Sequence, residues 1–239
     1  MKIEVFSDPA AVANKAAEII AAQACAAIAA RGRFVVGFSG GRTPSAMLRA
    51  LAEQDLPWRN VHVVQVDERV APAGHADRNL TQLHESLLAL APLPTEQIYA
   101  MPVEAADLAA AAESYAGTLR QIAGVPPVLD VAHLGLGPDG HTASLVPGDP
   151  VLEVDDKDVA VTGVYQGRRR MTLTYPMLNR CRRILWLVTG ADKGDALVSL
   201  IAGDASVPAG RIQRDNAVIL ADRAAAEKSA ANELQPTAQ

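Results

Sequence analysis

The chain has 239 residues, 49% of them hydrophobic and 21% charged, with 22 basic and 27 acidic side chains and a formal net charge of −5. This length favours one large domain or two small ones, and the apolar fraction is high enough for a buried core, which excludes a mainly disordered protein. The acidic balance also argues against a general binder of nucleic acid or of anionic membranes, because such proteins need a broad positive field.

The first half of the chain alternates between short apolar runs that favour strands and longer segments with apolar residues at helical spacing. Asp8 and Pro9 are typical of a helix start, and Gly32 is typical of a helix end. The pattern predicts strands at 3–6, 34–38 and 61–66, helices at 9–30, from Thr43-Pro44 onward and at 80–88, and a polar loop at 67–78.

The second half repeats the alternation. It predicts helices at 105–122 and 192–201, strands at 129–134, 159–164, 171–174, 184–188 and 217–220, and a frayed tail at 229–239. Alternating strands and helices indicate a single α/β domain over 1–239, with a mostly parallel, doubly wound (modified Rossmann-like) sheet and helices on both faces.

The N-terminal region and the cysteines indicate the compartment. No basic segment followed by an apolar run opens the chain, and the apolar stretch 16–30 is interrupted by Glu18 and Gln23 and is too short to cross a bilayer. Cys25 and Cys181 are expected to be inert core residues, since free cysteines are usually buried. We therefore expect a cytoplasmic protein with no membrane partner.

The loop after the second predicted strand has the composition of an anion site. In parallel sheets, ligands bind where loops leave the carboxyl ends of the strands. The glycines of Ser39-Gly40-Gly41 let backbone N–H groups approach an anion at a helix N-terminus, which favours a phosphate. The alternative is a tight turn with Thr43 as the helix cap. The segment is neither a P-loop nor a dinucleotide fingerprint.

Two further loops carry ionisable residues. Asp-Glu-Arg at 67–69 follows a strand, so Arg69 could point a permanent charge into a cleft. The alternative is a solvent-exposed loop, which would have the same composition. In the glycine-rich loop at 135–144, His141 suits a general base because histidine titrates near neutrality, and Asp139 could fix its tautomer. The alternative is a turn with an exposed histidine. The other histidines are interpreted as structural or surface residues: His62, His75, His84 and His133.

Taken together and in order, these motifs resemble those of the 6-phosphogluconolactonase family, whose superfamily includes glucosamine-6-phosphate deaminase/isomerase. The motifs are Ser-Gly-Gly at 39–41, Asp-Glu-Arg at 67–69, Asp-Arg-Asn at 77–79, Gly-Leu-Gly-Pro-Asp-Gly-His-Thr-Ala-Ser at 135–144 and Arg-Met-Thr-Leu-Thr at 170–174. The likeness extends from Ser39 to about Arg211. The chain departs from the family pattern at Arg78 and at Gly210, where the family usually has serine.

The resemblance implies a carboxylic ester hydrolase of the oxidative pentose phosphate pathway that converts 6-phospho-D-glucono-1,5-lactone to 6-phosphogluconate. It implies His141 as general base, Asp139 as its orienting partner and Arg69 as the cation that stabilises the oxyanion or positions the lactone. The implied substrate and phosphate site comprises Ser39, Gly40, Gly41, Asp67, Asn79, Arg170 and Lys193. No metal or cofactor is expected, because the lactone is already reactive, and the protein is expected to be a monomer or a weak dimer.

Two rival functions remain open at this point. A deaminase of the superfamily places a glutamate five residues after the histidine, and this chain has Val146 there. A non-catalytic sugar-phosphate sensor would keep the phosphate loop and Lys193 and could lose His141 or Arg69, both of which are present.

Overall fold

The computed structural model describes residues 1–233. Its strands are β1 (Lys2–Phe6), β2 (Phe34–Phe38), β3 (Val61–Gln65), β4 (Asp67–Arg69), β5 (Ile98–Tyr99), β6 (Val131–Gly135), β7 (Val159–Val161), β8 (Arg170–Leu173), β9 (Ile184–Val188) and β10 (Ala217–Asp222). Its helices are α1 (Pro9–Arg31), α2 (Arg42–Ala52), α3 (Asn79–Leu83), α4 (Leu108–Ala123), α5 (Tyr175–Asn179), α6 (Gly194–Ala202) and α7 (Arg223–Glu233).

The main sheet has seven strands in the order β1-β10-β9-β6-β2-β3-β5. Every recorded pairing within it is parallel. All positions of β2 and β9 are buried, which is the composition expected of strands covered on both faces. Two apolar clusters lie on the two faces of this sheet, and the larger side chains buried there include Trp186 and Phe34. The predicted α/β fold is therefore confirmed.

A second, antiparallel sheet of three strands, in the order β4-β8-β7, extends from the end of β3. The connection is direct, because Leu173 donates its N–H to the carbonyl of Val66 at 2.8 Å. The sequence pattern predicted a loop at 67–78, and this was wrong for 67–69. Those residues form a strand because β8, about a hundred positions away in the chain, supplies its hydrogen-bond partners.

Helix α1 is the longest helix described, with 23 residues. Asp8 caps it by accepting the N–H of Ala11 at 2.9 Å, and Gly32 ends it in the left-handed region at φ 75°. By length and composition alone this helix could cross a membrane, so the expectation of too short an apolar stretch was wrong. In the fold it packs against α2 and the main sheet, with Val12, Ile20 and several alanines fully buried.

Other differences from the sequence predictions are local. Strand β5 and helices α5 and α7 were not predicted, and Cys25 is exposed although Cys181 is buried as expected. Gly41, not Thr43, is the N-cap of α2. The predicted frayed tail begins inside α7, which is helical through Glu233, and 234–239 lie outside the described residues.

Candidate active site

A cleft of about 800 Å³ lies at the carboxyl ends of β2, β6 and β9 and beside the small sheet. Nine of the ten predicted site residues line it, namely Ser39, Gly40, Gly41, Asp67, Arg69, Asn79, His141, Arg170 and Lys193. The tenth, Asp139, lies behind His141 and is hydrogen-bonded to it. The parallel sheet explains this convergence, because its strand ends share one edge.

The loop at 39–41, which has the composition of a phosphate site and is called the phosphate-type loop below, is shaped by close packing at Gly40. A Cβ atom at this position would lie 2.0 Å from Asn79 Oδ1, so no larger residue fits. Ser39 Oγ donates to the carbonyl of His133 at 3.0 Å. The N–H of Gly41 is occupied by Gln82 Oε1 at 3.1 Å, so an anion that used this donor would have to displace the Gln82 side chain.

Lys193 also lines the cleft. It stands at the N-terminus of α6, and its side chain is 23% exposed, with Nζ at 3.1 Å from Asp192 Oδ2. Next to it, the hydroxyls of Thr43 and Thr189 are 2.9 Å apart and join the start of α2 to the end of β9. This end of the cleft therefore combines a cation, two hydroxyls and a helix N-terminus, which suits a phosphate.

His141 and Asp139 form the pair that the sequence predicted. His141 Nδ1 lies 2.5 Å from Asp139 Oδ1, which also accepts the backbone N–H of His141 at 3.2 Å. Burial would raise the pKa of Asp139, but hydrogen bonds and the charge of His141 outweigh it, and the pKa is lowered. Gly137 makes room for the pair, since a Cβ there would lie 2.1 Å from His141 Nδ1.

Tyr165 completes this end of the cleft and was not found by the sequence analysis. Its hydroxyl donates to Asp139 Oδ2 at 3.0 Å, and its ring meets the His141 ring edge-on at 5.5 Å. The guanidinium of Arg170 lies 5.0 Å from the Tyr165 ring centroid. The Gln-Gly sequence that follows Tyr165 could have indicated a hairpin turn. No sequence pattern near Tyr165, however, predicts its hydrogen bond to Asp139.

Arg69 is held by the segment that precedes α3. Its Nη1 donates to the carbonyl of Asp77 at 2.8 Å and to Asn79 Oδ1 at 2.7 Å. Asn79 in turn donates from Nδ2 to the carbonyl of Asp67 at 2.9 Å. The guanidinium is therefore fixed in orientation at the cleft wall before any substrate binds.

Asp67 on β4 and Arg170 on β8 are buried ionisable residues close to Arg69, and Arg170 is the cross-strand partner of Arg69. Ser144 Oγ donates to Asp67 Oδ2 at 2.7 Å. Burial raises the pKa of Asp67, and this outweighs the Ser144 hydrogen bond and the positive charges of Arg170 and Arg69, which lower it. Arg170 is only 3% exposed, and burial lowers its pKa. Its Nη2 donates to Gln166 Oε1 at 3.2 Å.

Glu68 is a second residue whose role the sequence did not reveal. It is fully buried and accepts the N–H groups of Asn79 and Arg69 at 2.7 Å each, together with that of Leu80 at 2.8 Å. Arg78 Nε lies 3.1 Å from Glu68 Oε2, and Arg78 is 3% exposed. Arg78 and Glu68 therefore form a buried ion pair next to Asn79 and Arg69.

His133 was interpreted as a structural or surface residue, yet it contributes to the floor of the cleft. It is fully buried, and among the described residues neither of its ring nitrogens has a hydrogen-bond partner. Burial lowers its pKa to about 3, so the ring is neutral at physiological pH.

The cleft thus brings together His141 with a carboxylate behind it, the loop at 39–41, Lys193 and two arginines, Arg69 and Arg170. Within residues 1–233, no group of three or more His, Cys, Asp or Glu side chains is arranged to hold a metal ion.

Comparison with known proteins gives consistent matches. The sequence model described as glucosamine-6-phosphate isomerases/6-phosphogluconolactonase matches residues 7–220. A 6-phosphogluconolactonase of Synechocystis sp. is 37% identical over 234 residues, which cover 95% of this chain and 97% of the relative. The crystal structure of 6-phosphogluconolactonase from Thermotoga maritima has a TM-score of 0.82 at 26% identity, covering 92% of this chain and 98% of its own.

A monomeric glucosamine-6-phosphate deaminase has a similar TM-score of 0.84, but only 20% of its residues are identical. It covers 95% of this chain and all of its own length. This likeness shows a shared fold and does not distinguish the two activities.

Proposed function

The chain belongs to the glucosamine-6-phosphate isomerase/6-phosphogluconolactonase family, and from that membership we propose that it hydrolyses 6-phospho-D-glucono-1,5-lactone to 6-phosphogluconate. The observation that carries the proposal is the 2.5 Å contact of His141 with Asp139 in the same cleft as Arg69 and Lys193. Relatives named 6-phosphogluconolactonase, at 34–38% identity over most of the chain, support it.

In the proposed reaction His141 acts as the general base. Asp139 engages Nδ1, which leaves Nε2 to take a proton from the water that attacks C1 of the lactone. The new C–O bond moves an electron pair onto the carbonyl oxygen. When the carbonyl re-forms, the C1–O5 ring bond breaks, and O5 leaves as a hydroxyl with the proton that His141 returns.

The negative charge on the carbonyl oxygen needs a fixed cation nearby. Arg69 is the first candidate, because Asn79 and Asp77 already orient it, and Arg170 is the second. A donor of this kind typically contributes about 2.7–4 kcal/mol to transition-state stabilisation. Asp67 is proposed to contribute to the site through its hydrogen bonds, since its carboxylate accepts from Ser144 and its carbonyl accepts from Asn79, which holds Arg69.

The phosphate of the substrate is proposed to bind on Ser39, Gly40, Gly41 and Lys193, which line the same cleft. A doubly charged phosphate would be attracted there although the chain as a whole is acidic. A monomeric or weakly dimeric state and a cytoplasmic location stay predictions.

The deaminase alternative is disfavoured by one position. The superfamily pattern requires a carboxylate five residues after His141, and Val146 there is buried at 4% exposure. A ring-opening relay would therefore lack its partner. A non-catalytic sugar-phosphate sensor is disfavoured because binding alone does not require a histidine oriented by a carboxylate.

The test is a coupled assay on freshly generated 6-phosphogluconolactone, with glucosamine 6-phosphate run in parallel. We expect rapid formation of 6-phosphogluconate above the spontaneous rate and no release of ammonia. His141→Asn should lose about 10²–10⁴-fold in kcat, the usual contribution of a general base. The matched control is His84→Asn, which changes an exposed histidine outside the cleft and should keep full activity.

Two results would contradict the proposal. Ammonia release from glucosamine 6-phosphate would indicate a deaminase. No acceleration of lactone hydrolysis, combined with thermal stabilisation by 6-phosphogluconate, would indicate a sensor.

A further inference from the structure

We propose that Tyr165 is a positioning residue that holds the Asp139–His141 pair in its working geometry and couples it to Arg170. It is half-buried beside the cleft, 26 residues from Asp139 in sequence. One side chain here contacts three of the predicted site residues, through its hydroxyl, its ring edge and its ring face. The inference rests on the proposed function for its rate measurements.

With the hydroxyl of Tyr165, both oxygens of the Asp139 carboxylate have a hydrogen-bond partner. Oδ1 of Asp139 faces His141 Nδ1 at 2.5 Å, and Oδ2 accepts the Tyr165 hydroxyl at 3.0 Å. A carboxylate held at both oxygens cannot rotate, so the imidazole that it orients is fixed as well. Without the tyrosine, Oδ2 would be left to solvent.

The ring of Tyr165 fixes the other two groups. Its plane is inclined 65° to the His141 ring at a centroid distance of 5.5 Å, the edge-to-face arrangement that aromatic pairs favour. Arg170 lies over its face at 5.0 Å, a cation–π distance. The tyrosine therefore separates the histidine base from the buried arginine while it contacts both.

Tyr165 stands at the start of a tight two-residue hairpin turn, which fixes its backbone. Tyr165 and Arg168 exchange backbone hydrogen bonds of 3.0 and 3.2 Å around a two-residue turn, in which Gln166 and Gly167 have φ 51° and 78°. Positive φ at both central positions is the feature of the tight hairpin turns that match the strand twist.

Each flank of this turn is tied to a different part of the cleft. Gln166 accepts from Arg170 at 3.2 Å, and Arg168 Nε donates to Asp77 Oδ2 at 2.8 Å. Arg69 contacts the carbonyl of the same Asp77. The hairpin between β7 and β8 is thus anchored both to Arg170 and to Asp77, the residue that also holds Arg69. These contacts fix the backbone position of Tyr165.

Removal of the hydroxyl should change how the pair titrates. The Tyr165 hydrogen bond is one of the contacts that lower the pKa of Asp139, so its loss should raise this pKa. The charged groups near the pair are His141 itself, Arg170 against Tyr165 and, beyond Arg170, Asp67 and Arg69. Since these remain in the variant, the change can be assigned to the hydroxyl.

The test compares Tyr165→Phe, which keeps the ring, with Tyr165→Leu, which loses it. For Tyr165→Phe we expect kcat to fall about three-fold to ten-fold, the worth of one net hydrogen bond, with KM nearly unchanged. The pKa of Asp139, followed by NMR, should rise, because the variant lacks one of the hydrogen bonds that lower it. Tyr165→Leu should lose more activity and also shift the NMR resonance of the His141 ring proton, which His141→Asn identifies.

Tyr99→Phe is the matched control. Tyr99 is a second tyrosine paired with a histidine, His62, at 3.0 Å between the hydroxyl and Nδ1, and neither residue lines the cleft. This variant should keep the wild-type pKa of Asp139 and the His141 resonance. If Tyr165→Phe and Tyr165→Leu behave as Tyr99→Phe does, the positioning role is wrong.

The NMR readout separates this inference from the proposed function. If the wild-type protein fails to accelerate lactone hydrolysis, the proposed function fails. The His141 resonance in Tyr165→Leu still decides whether the tyrosine holds the imidazole. A shifted resonance supports the inference in that case, and an unshifted one overturns it.

Discussion

At the scale of single residues, Lys193 shows how a binding role can be distinguished from a chemical one. Its side chain lines the same cleft as His141 and the loop at 39–41, and within the described part of the chain its only ion pair is with Asp192. A contact made equally in the ground state and the transition state changes KM and leaves kcat alone.

We therefore expect Lys193→Ala to raise KM by about ten-fold or more, with a smaller change in kcat, because a lost charged hydrogen bond costs about 1.5–3 kcal/mol. Steady-state kinetics on 6-phosphogluconolactone measure both values. A fall in kcat at constant KM would instead assign Lys193 to the chemical step.

Arg78 is one of the two positions at which the motifs differ from those that the resemblance leads us to expect, and it pairs with a buried carboxylate. Its guanidinium faces the fully buried Glu68, which accepts the N–H groups of Arg69 and Asn79. The Arg78 Nε–Glu68 contact of 3.1 Å lacks good hydrogen-bond alignment, so the attraction is chiefly between charges.

Arg78→Met should lower the free energy of unfolding by about 3–5 kcal/mol, because it leaves a buried carboxylate without its cation. Urea unfolding measures the change. Arg120→Met removes a similar contact to Glu113, at 2.9 Å on the surface, and should cost at most about 1 kcal/mol. Equal effects of the two variants would mean that Glu68 does not depend on Arg78.

At the scale of elements, the loop after β6 is a compact unit whose glycines make room for the site. A Cβ on Gly137 would lie 2.1 Å from His141 Nδ1 and 2.7 Å from Asp139 Oδ1, so the imidazole would have to move. Gly210 is constrained in the same manner, because a Cβ there would lie 1.9 Å from the carbonyl oxygen of Asp204.

Gly137→Ala should reduce kcat by about 10²–10⁴-fold, since it displaces His141, the proposed general base, from its carboxylate. Gly117→Ala is the control, because a Cβ at this helical position meets nothing within 4 Å. The control should retain activity and gain slightly in stability. Near-normal activity of Gly137→Ala would show that the His141–Asp139 contact is dispensable.

At the scale of the whole molecule, the buried His133 links folding to pH. Its pKa is lowered by burial from 6.5 to about 3, so below pH 6.5 the unfolded chain binds a proton that the folded chain does not. Stability is therefore complete above pH 6.5 and is lost as the pH falls. Asp67, whose pKa burial raises, acts in the opposite direction.

The free energy of unfolding should fall by about 1.4 kcal/mol for each pH unit below 6.5 through His133 alone. Denaturant unfolding from pH 7 to pH 4.5 measures this slope. His133→Leu should flatten it, and the comparison with the wild type cancels the contributions of Asp67 and Asp139. An unchanged slope would mean that His133 is hydrated in the folded state.

The sequence alone determined the elements whose composition leaves little choice. Strands β2 and β9 were predicted with their correct bounds because they are continuous apolar runs. Helix α1 was predicted to within one residue because Asp8, Pro9 and Gly32 mark its ends. The chemistry of the loops at 39–41 and 135–144 was also readable, because glycines and ionisable side chains occur there at short spacing. These are local properties, determined by backbone sterics and hydrophobic periodicity.

Only the tertiary structure decided which distant residues meet. Strand β4 exists because β8 pairs with it, and this pairing buries Asp67 and Glu68 in what resembled a polar loop. The reach of Tyr165 to Asp139 and the burial of His133 likewise depend on which strands become neighbours. Contacts of this kind leave no local pattern, since their free energy comes from packing and desolvation among segments that the chain brings together only on folding.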